Sequence, residues 1–470
     1  MIWISLDKKS KSTLTHQIYE QIRIKILNGE LKANEKLPSS RELSEILAVS
    51  RIIIMNAYDM LSSEGYIEIV PNSGAYVAIK TFLGKQTNTY EDYTVTVLET
   101  KPVDENKINF SSGTPSVELF PRKKWSHILQ KVYNEAPYSA FGYDYPEGRP
   151  ELRDTLVRYL RKTRGIKCSA EQIIITSGTK QSLTLIGKCL LAPDKEVWIE
   201  DPTNLNVLNI FTYHTKLIHP IMVDKEGIKT ELLPQDGRPT LIFVTPSHQF
   251  PLGGILSIQR RIELIEFARN TGCYIVEDDY DSEFRYEGSP IRSIQEFDSS
   301  NVIYLGTFSK IMFPSLRLGY LVLPHSLISA FREWKRLSDH HSNSLNQLAL
   351  MRFIEDRELE KHIAAMKKVY RKRRDFLIEC LYRNFNDQIE ILGKSAGMHL
   401  IIEFKNIYFS TELLDLISSF GVNLTSVEEL SITKGNHNKQ LIVGYAHLNE
   451  NQIEQGVCKL KKAICSYLNI

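Results

Sequence analysis

Lys310 stands behind Gly-Thr-Phe-Ser and seven residues before Arg317 in GTFSKIMFPSLR, residues 306–317. A lysine amine can condense with a carbonyl compound as a Schiff base. The hydroxyls of Thr307 and Ser309, with the guanidinium of Arg317, suit a phosphate beside it. Upstream, Ser177-Gly178-Thr179-Lys180 falls between an apolar run and a helical pattern. Free backbone N–H groups and the helix dipole make such a loop a second anion site. In VEDDYDSEF, Asp278 closes an apolar run and Tyr280 follows two residues later. A carboxylate there can keep a ring nitrogen protonated, and the phenol can hydrogen-bond a ring hydroxyl. A phosphate loop, an acid, a phenol, an amine and a second anion-binding loop, in this order along the chain, point to pyridoxal 5'-phosphate.

Such groups converge only if strands hold them. The runs IIIT (173–176), EVWIE (196–200), LIFVT (241–245), CYIVED (273–278) and VIYLG (302–306) are nearly continuous in apolar residues. That is the pattern of a parallel sheet buried on both faces. Helical patterns follow several of them, so a doubly wound α/β domain is expected over residues 108–470. In that architecture ligands bind beyond the carboxyl ends of the strands. SGTKQ, DPTN, PSHQFP, DDYD and TFSK all stand at those ends.

A different pattern fills residues 1–79. Ile18, Ile22, Ile26 and Leu27 recur at helical spacing before Asn28-Gly29. Ser39 with Glu42 has the form of a capping box for a short helix through Leu47. Ser50 offers a second cap, for a helix over 51–63 with Ile54, Ala57, Tyr58 and Leu61 on its core face. YIEIVPNSGAYVAI then reads as two strands joined by Pro71-Asn72-Ser73-Gly74. Three helices and a hairpin make a winged helix. Residues 80–107 are polar and aperiodic and read as a linker.

Composition excludes little. The chain has 470 residues, 42% hydrophobic and 24% charged, with a formal net charge of +2. Those values suit two or three globular domains, and any nucleic-acid face must be local. Six scattered cysteines without a CxxC pair, no signal-peptide pattern and no membrane-length apolar run suit a cytoplasmic protein. No histidine or cysteine spacing suggests a metal.

Residues 12–79 resemble GntR-type bacterial regulators through LPSSREL, VSR, the AY…L…EG run and GAYV. The resemblance implies double-stranded DNA as a partner, with Arg41, Ser50, Arg51 and Asn56 near the duplex and Asn72 and Ser73 on the wing. From INFSSGTPSVELFP to the C-terminus the chain resembles fold-type I aminotransferases, through FGYDYPEGRPELRDTL, SGTKQ, TPSHQFPLGG and GTFSK…PSLRLGY. The combination is similar to the MocR subfamily of regulators, with GabR-like motifs. That likeness implies a smaller C-terminal α+β subdomain. It also implies a homodimer with domain-swapped winged helices, and a Tyr143 that reaches the phosphate across the interface.

Departures from the family pattern concern the groups that hold an amino acid. Asn204, in DPTNLN, takes the place of the aromatic residue that stacks on the ring, with Asn206 beside it. His447 takes the place of the arginine that grips a carboxylate, and Phe250 replaces a ring-supporting asparagine of many aminotransferases, a change shared with the regulator subfamily. The expectation is a DNA-binding transcriptional regulator that holds pyridoxal phosphate on Lys310. It would sense a small-molecule effector: an amine, an amino acid, a peptide or the cofactor itself. The alternative is an active aminotransferase carrying a DNA-binding module.

Overall fold

The computed structural model describes residues 4–79, 107–234 and 236–468. The chain divides into two compact units, residues 1–102 and 103–470. The expected linker lies outside the described residues except for Lys107, whose Nζ donates to Ser418 Oγ at 2.9 Å. Residue 107 therefore already belongs to the second unit.

The first unit is a winged helix. It contains α1 (Leu14–Leu27), α2 (Ser40–Leu47), α3 (Arg51–Ser63) and the antiparallel hairpin β1 (Ile67–Val70) and β2 (Gly74–Val77). The apolar stripe of each helix meets one core of Ile18, Ile22, Ile26, Leu43, Ile54, Tyr58 and Leu61. Ser39 forms the expected capping box with Glu42, two reciprocal bonds that satisfy helix-end N–H groups. The expected cap at Ser50 does not form through its side chain. Its backbone carbonyl accepts from Ile53 N at 2.9 Å instead, so the hydroxyl is left exposed.

The second unit opens with β3 (Ile108–Asn109), α4 (Arg122–Glu135) and α5 (Pro150–Arg164). Its large sheet comprises β4 (Ile173–Thr176), β5 (Val197–Asp201), β6 (Ile218–Asp224), β7 (Gly227–Ile228), β8 (Leu241–Val244), β9 (Tyr274–Asp279), β10 (Val302–Thr307) and β11 (Gly319–Val322). The spatial order is β4-β11-β10-β9-β8-β5-β6-β7. All five apolar runs read from the sequence are strands of this sheet. Three strands were missed, β6, β7 and the run LGYLV. That run forms β11, which lies antiparallel between β4 and β10 and brings Gly319 opposite both Thr176 and Thr307. Helices α6 (Thr179–Leu190), α7 (Leu205–Thr212) and α8 (Ile258–Thr271) follow strands of the sheet, as the doubly wound reading requires.

The C-terminal part carries helices α9 (Ile328–Asp339), α10 (Ser344–Glu355) and α11 (Glu358–Phe385), then a smaller sheet. That sheet joins β12 (Ile389–Leu392), β13 (His399–Phe404), β15 (Thr425–Ser426) and β16 (Gln440–Gly444), while β14 (Val422–Asn423) pairs with β3. Among the described residues no helix is long and apolar enough to cross a membrane.

Candidate functional site

A cavity of about 290 Å³ opens where the large sheet's strands end. Its wall includes Thr179, Lys180, Asn204, Asn206, Phe250, Asp278, Tyr280, Thr307, Ser309, Lys310 and Arg317. Eleven residues chosen from sequence thus come together around one space. Strand ends supply most of them because each buried strand must hand its chain to a polar loop at the same edge of the sheet.

Lys310 is largely buried, and its Nζ donates to Gly113 O at 2.7 Å. Burial pulls its pKa below the ordinary lysine value, while Asp281 and Asp278 pull the other way. A shift in that direction raises the fraction of free amine, the form that can attack a carbonyl. Asp278 is buried, and its Oδ1 has no hydrogen-bond partner. Burial, with the charge of Asp279 added, pushes its carboxyl up to about 7. Asp279 itself faces away, bound by Arg164 Nε and Tyr304 Oη, each at 2.6 Å. Burial works against ionisation of Asp279, but the Arg164 charge and hydrogen bonds from Ser282, Tyr304 and Arg164 outweigh it and lower the pKa.

The anion end is built from two loops. Gly178 precedes α6 with φ +104, and a Cβ there would meet the Arg317 guanidinium at 3.3 Å. Only glycine lets that arginine close on the helix start. The first N–H groups of α6 have no partner within the helix, and Ser309 N is oriented by Thr307 Oγ1 at 3.2 Å.

Among the effector-side residues the picture is mixed. Asn204 and Asn206 line the cavity, but Asn204 Oδ1 accepts from Asn206 N at 2.9 Å and from Asn206 Nδ2 at 3.1 Å. Asn204 is the cap of α7, a structural duty the sequence reading did not foresee. Phe250 stands edge-on to Tyr280 with ring centroids 6.0 Å apart. His447 is not part of the cavity wall. Its Nε2 donates to Asn109 O at 2.8 Å, because β3 runs beside the end of β16 and offers a carbonyl there. Tyr143 is outside the wall too. It is 88% exposed and packs on His340.

Three buried residues of the site escaped the sequence reading. Glu200, at the end of β5, accepts from Thr245 N and Oγ1 at 3.1 and 2.6 Å, and burial pushes it up to about 7. His248 and Asp281 sit directly behind Tyr280. Both stand inside quoted motifs, SHQFP and DDYDSEF. Acid and imidazole side chains within otherwise buried segments were the available signal.

The family described as "Aminotransferase class I and II" matches residues 105–460, and "Bacterial regulatory proteins, gntR family" matches residues 14–77. The HTH-type transcriptional regulator YhdI of Bacillus subtilis is 35% identical, over 97% of this chain and 97% of its own length. The chain belongs to the MocR subfamily of GntR-type transcriptional regulators. The rhizopine catabolism regulatory protein MocR of Rhizobium meliloti is 31% identical over 97% of this chain and 95% of its own. Among solved structures, Pyrococcus horikoshii kynurenine aminotransferase, crystallised with PMP, superposes with a TM-score of 0.73. The two share 29% identity over 78% of this chain and 92% of the enzyme. This MocR-type regulator thus joins a DNA-binding unit to an aminotransferase fold.

Its DNA-binding unit leaves the expected contact groups accessible. Arg51 Nε donates to Ser40 Oγ at 3.1 Å, and Arg41 makes only a loose 3.7 Å pair with Glu45. Asn56 is exposed on α3, together with Ile52 and Met55, which the sequence reading passed over. Apolar side chains on a recognition helix can contact thymine methyl groups. At the wing, Asn72 adopts φ 61 and Ser73 Oγ hydrogen-bonds Tyr76 Oη at 2.7 Å.

Proposed function

We propose that the large unit holds pyridoxal 5'-phosphate on Lys310 and that this regulator reads a small-molecule effector at that cofactor. The observation that carries the reading is the partnerless buried Oδ1 of Asp278, in the same cavity wall as Lys310. A buried carboxylate oxygen without a donor is costly, and a protonated ring nitrogen is the donor it lacks. Gly178, Thr307, Ser309 and Arg317 offer the phosphate a cradle. Bound there, the cofactor supplies an aldehyde carbon that captures amines.

The protein's own residues then have separate duties. Lys310 presents its amine, Arg317 and the start of α6 hold the anion, and Tyr280 and Phe250 border the remaining space. The cationic side chains of the wall are Lys180, Lys310 and Arg317, all at the anchoring loops. With His447 outside the wall, no further cation lines the cavity among the described residues. This favours an amine, a peptide amine or the cofactor itself over a simple amino acid gripped by arginine.

Homodimerisation belongs to the same proposal. Tyr138, Phe141 and Tyr143 are exposed by 96%, 54% and 88%, a run of bare aromatics that a second copy would cover. Tyr143 would then serve the partner's phosphate site, and a swapped winged helix is the corresponding dimer form.

An absorbance titration of purified protein with pyridoxal phosphate tests the reading. Yellow absorbance that Lys310→Ala abolishes is expected, followed by a spectral shift with amines and no steady product. Continuous keto-acid release would instead establish the competing reading, an active aminotransferase carrying a DNA-binding module. Its support is the likeness to solved aminotransferases.

A further inference from the structure

Tyr280 borders the cavity, and behind it lies a set of side chains that no part of the reading above uses. Its Oη is 2.9 Å from His248 Nδ1. The same nitrogen is 3.2 Å from both Oδ1 and Oδ2 of Asp281. His248 and Asp281 are each 1% exposed. His248 Nε2 is buried and has no partner.

These contacts select one tautomer. A carboxylate only accepts, so Nδ1 must carry the hydrogen it shares between Asp281 and the phenol oxygen. Nε2 is then the bare nitrogen, which suits its lack of a partner, since an N–H there would be buried unsatisfied. The phenol oxygen of Tyr280 is thereby occupied as an acceptor. Its own O–H is left to point elsewhere, and the cavity is the space it borders. The opposite tautomer would turn the phenol inward, as donor to His248.

The pocket is shaped for this imidazole. Gly397 has φ +83, and a Cβ there would lie 2.0 Å from His248 Cε1 and 2.9 Å from Asp281 Oδ2. His399 packs behind, its ring centroid 5.2 Å from that of His248, and its Nε2 donates to Pro251 O at 2.8 Å. His248, Asp281 and His399 bring ligand-type atoms within 4.8 Å of one another, a donor set that could take a metal. Nδ1 of His248 and Nε2 of His399 are engaged by protein groups, while Nε2 of His248 and Nδ1 of His399 are buried without a partner.

We propose that His248, locked as the Nδ1–H tautomer by Asp281, is a positioning residue that makes Tyr280 a hydrogen-bond donor into the cavity. The donor would meet the cofactor's ring oxygen, so this step deepens the cofactor reading and rests on it. Burial raises the Tyr280 pKa well above the ordinary phenol value, with Asp281 next in effect, which keeps the O–H in place. The charged groups that face the pair are Asp278, Asp279 and Glu200 from strand ends, and Lys310 from its loop. His399, Glu283, Tyr286 and Tyr445 face it from the other side. Burial, and then His248, push His399 down to about 3, so it stays neutral through ordinary pH.

Two measurements on the full chain test this. The first is histidine nitrogen NMR of cofactor-free protein, with His248→Gln to identify the resonance. A protonated Nδ1 and a bare Nε2 are expected in the unaltered chain, with the reverse tautomer gaining population in Asp281→Asn. A bare Nδ1 in the unaltered chain overturns the proposal, whatever becomes of the cofactor reading. The second is the pH midpoint of the yellow absorbance in protein loaded with pyridoxal phosphate. Without a phenol donor the ring oxygen holds the neighbouring proton more tightly. The midpoint should therefore rise by roughly one pH unit in His248→Gln and in Asp281→Asn. Neither substitution should move it further in a Tyr280→Phe background. Unmoved midpoints, or full shifts that persist without the phenol, mean that the pair does not act through Tyr280. Absence of yellow colour in the unaltered chain defeats the cofactor reading and leaves the NMR result to stand alone.

Discussion

Two sets of residues expected at one site differ in what already occupies them. In the cofactor-holding set, Asp278 keeps a buried oxygen free and Arg317 closes on a glycine at a helix start. In the effector set, Asn204 caps a helix with its side-chain oxygen and His447 is tied to a backbone carbonyl. The Asp278 oxygen has no donor in the protein, whereas Asn204 Oδ1 and His447 Nε2 each bond a backbone group, with Nδ1 of His447 left buried and unpartnered. The contrast supports the proposal that the anchoring half of an aminotransferase site is kept here, while Asn204 and His447 took structural work.

Breaking the first set should cost binding. Lys310→Ala has the largest expected effect, complete loss of the yellow absorbance. Asp278→Ala should follow, weakening pyridoxal phosphate roughly tenfold to a hundredfold, the value of one charged hydrogen bond. Equilibrium dialysis measures it. Arg317→Ala should cost about tenfold, with the loss smaller for pyridoxal lacking the phosphate.

Asp278 also gives the contrast a pH signature. Its folded pKa, about 7, lies above the ordinary carboxylate value, and Glu200 behaves alike. Between about 4 and 7 these two groups therefore bind more protons in the folded state than in the unfolded one, so their contribution to stability falls as pH rises through that window. Relative to Asp278→Asn, melting temperatures of cofactor-free protein should decline across it. Bound cofactor should flatten the decline, because a ring N–H gives the ionised carboxylate a partner.

Breaking the second set should cost stability and leave binding alone. Asn204→Ala should destabilise the unit by about 1 kcal/mol, the usual worth of a cap, at unchanged cofactor affinity. A smaller loss is expected for His447→Ala, measured by the same melts. If either variant instead abolished the response to amines while the melt stayed the same, the division into two sets would be wrong.

Much of the site was legible because its residues stand at the ends of strands that any pattern reader can find. Lys310, Asp278, Thr179 and Arg317 lie within a few residues of β10, β9, β4 and β11, so locating the strands located the groups. His447 was misplaced because its partner, Asn109, is 338 residues away along the chain. His248 and Asp281 were quoted inside motifs, yet their pairing spans 33 residues and depends on β8 and β9 lying side by side.

Residue order alone determined the winged helix, the doubly wound sheet and the set of chemical groups, because periodicity and capping act over a few residues. Only the tertiary structure decided which of those groups remain free. It carried His447 away from the cavity and set Asp281 against the imidazole behind Tyr280. A hydrogen bond is satisfied in space, by whichever donor the fold brings within about 3 Å.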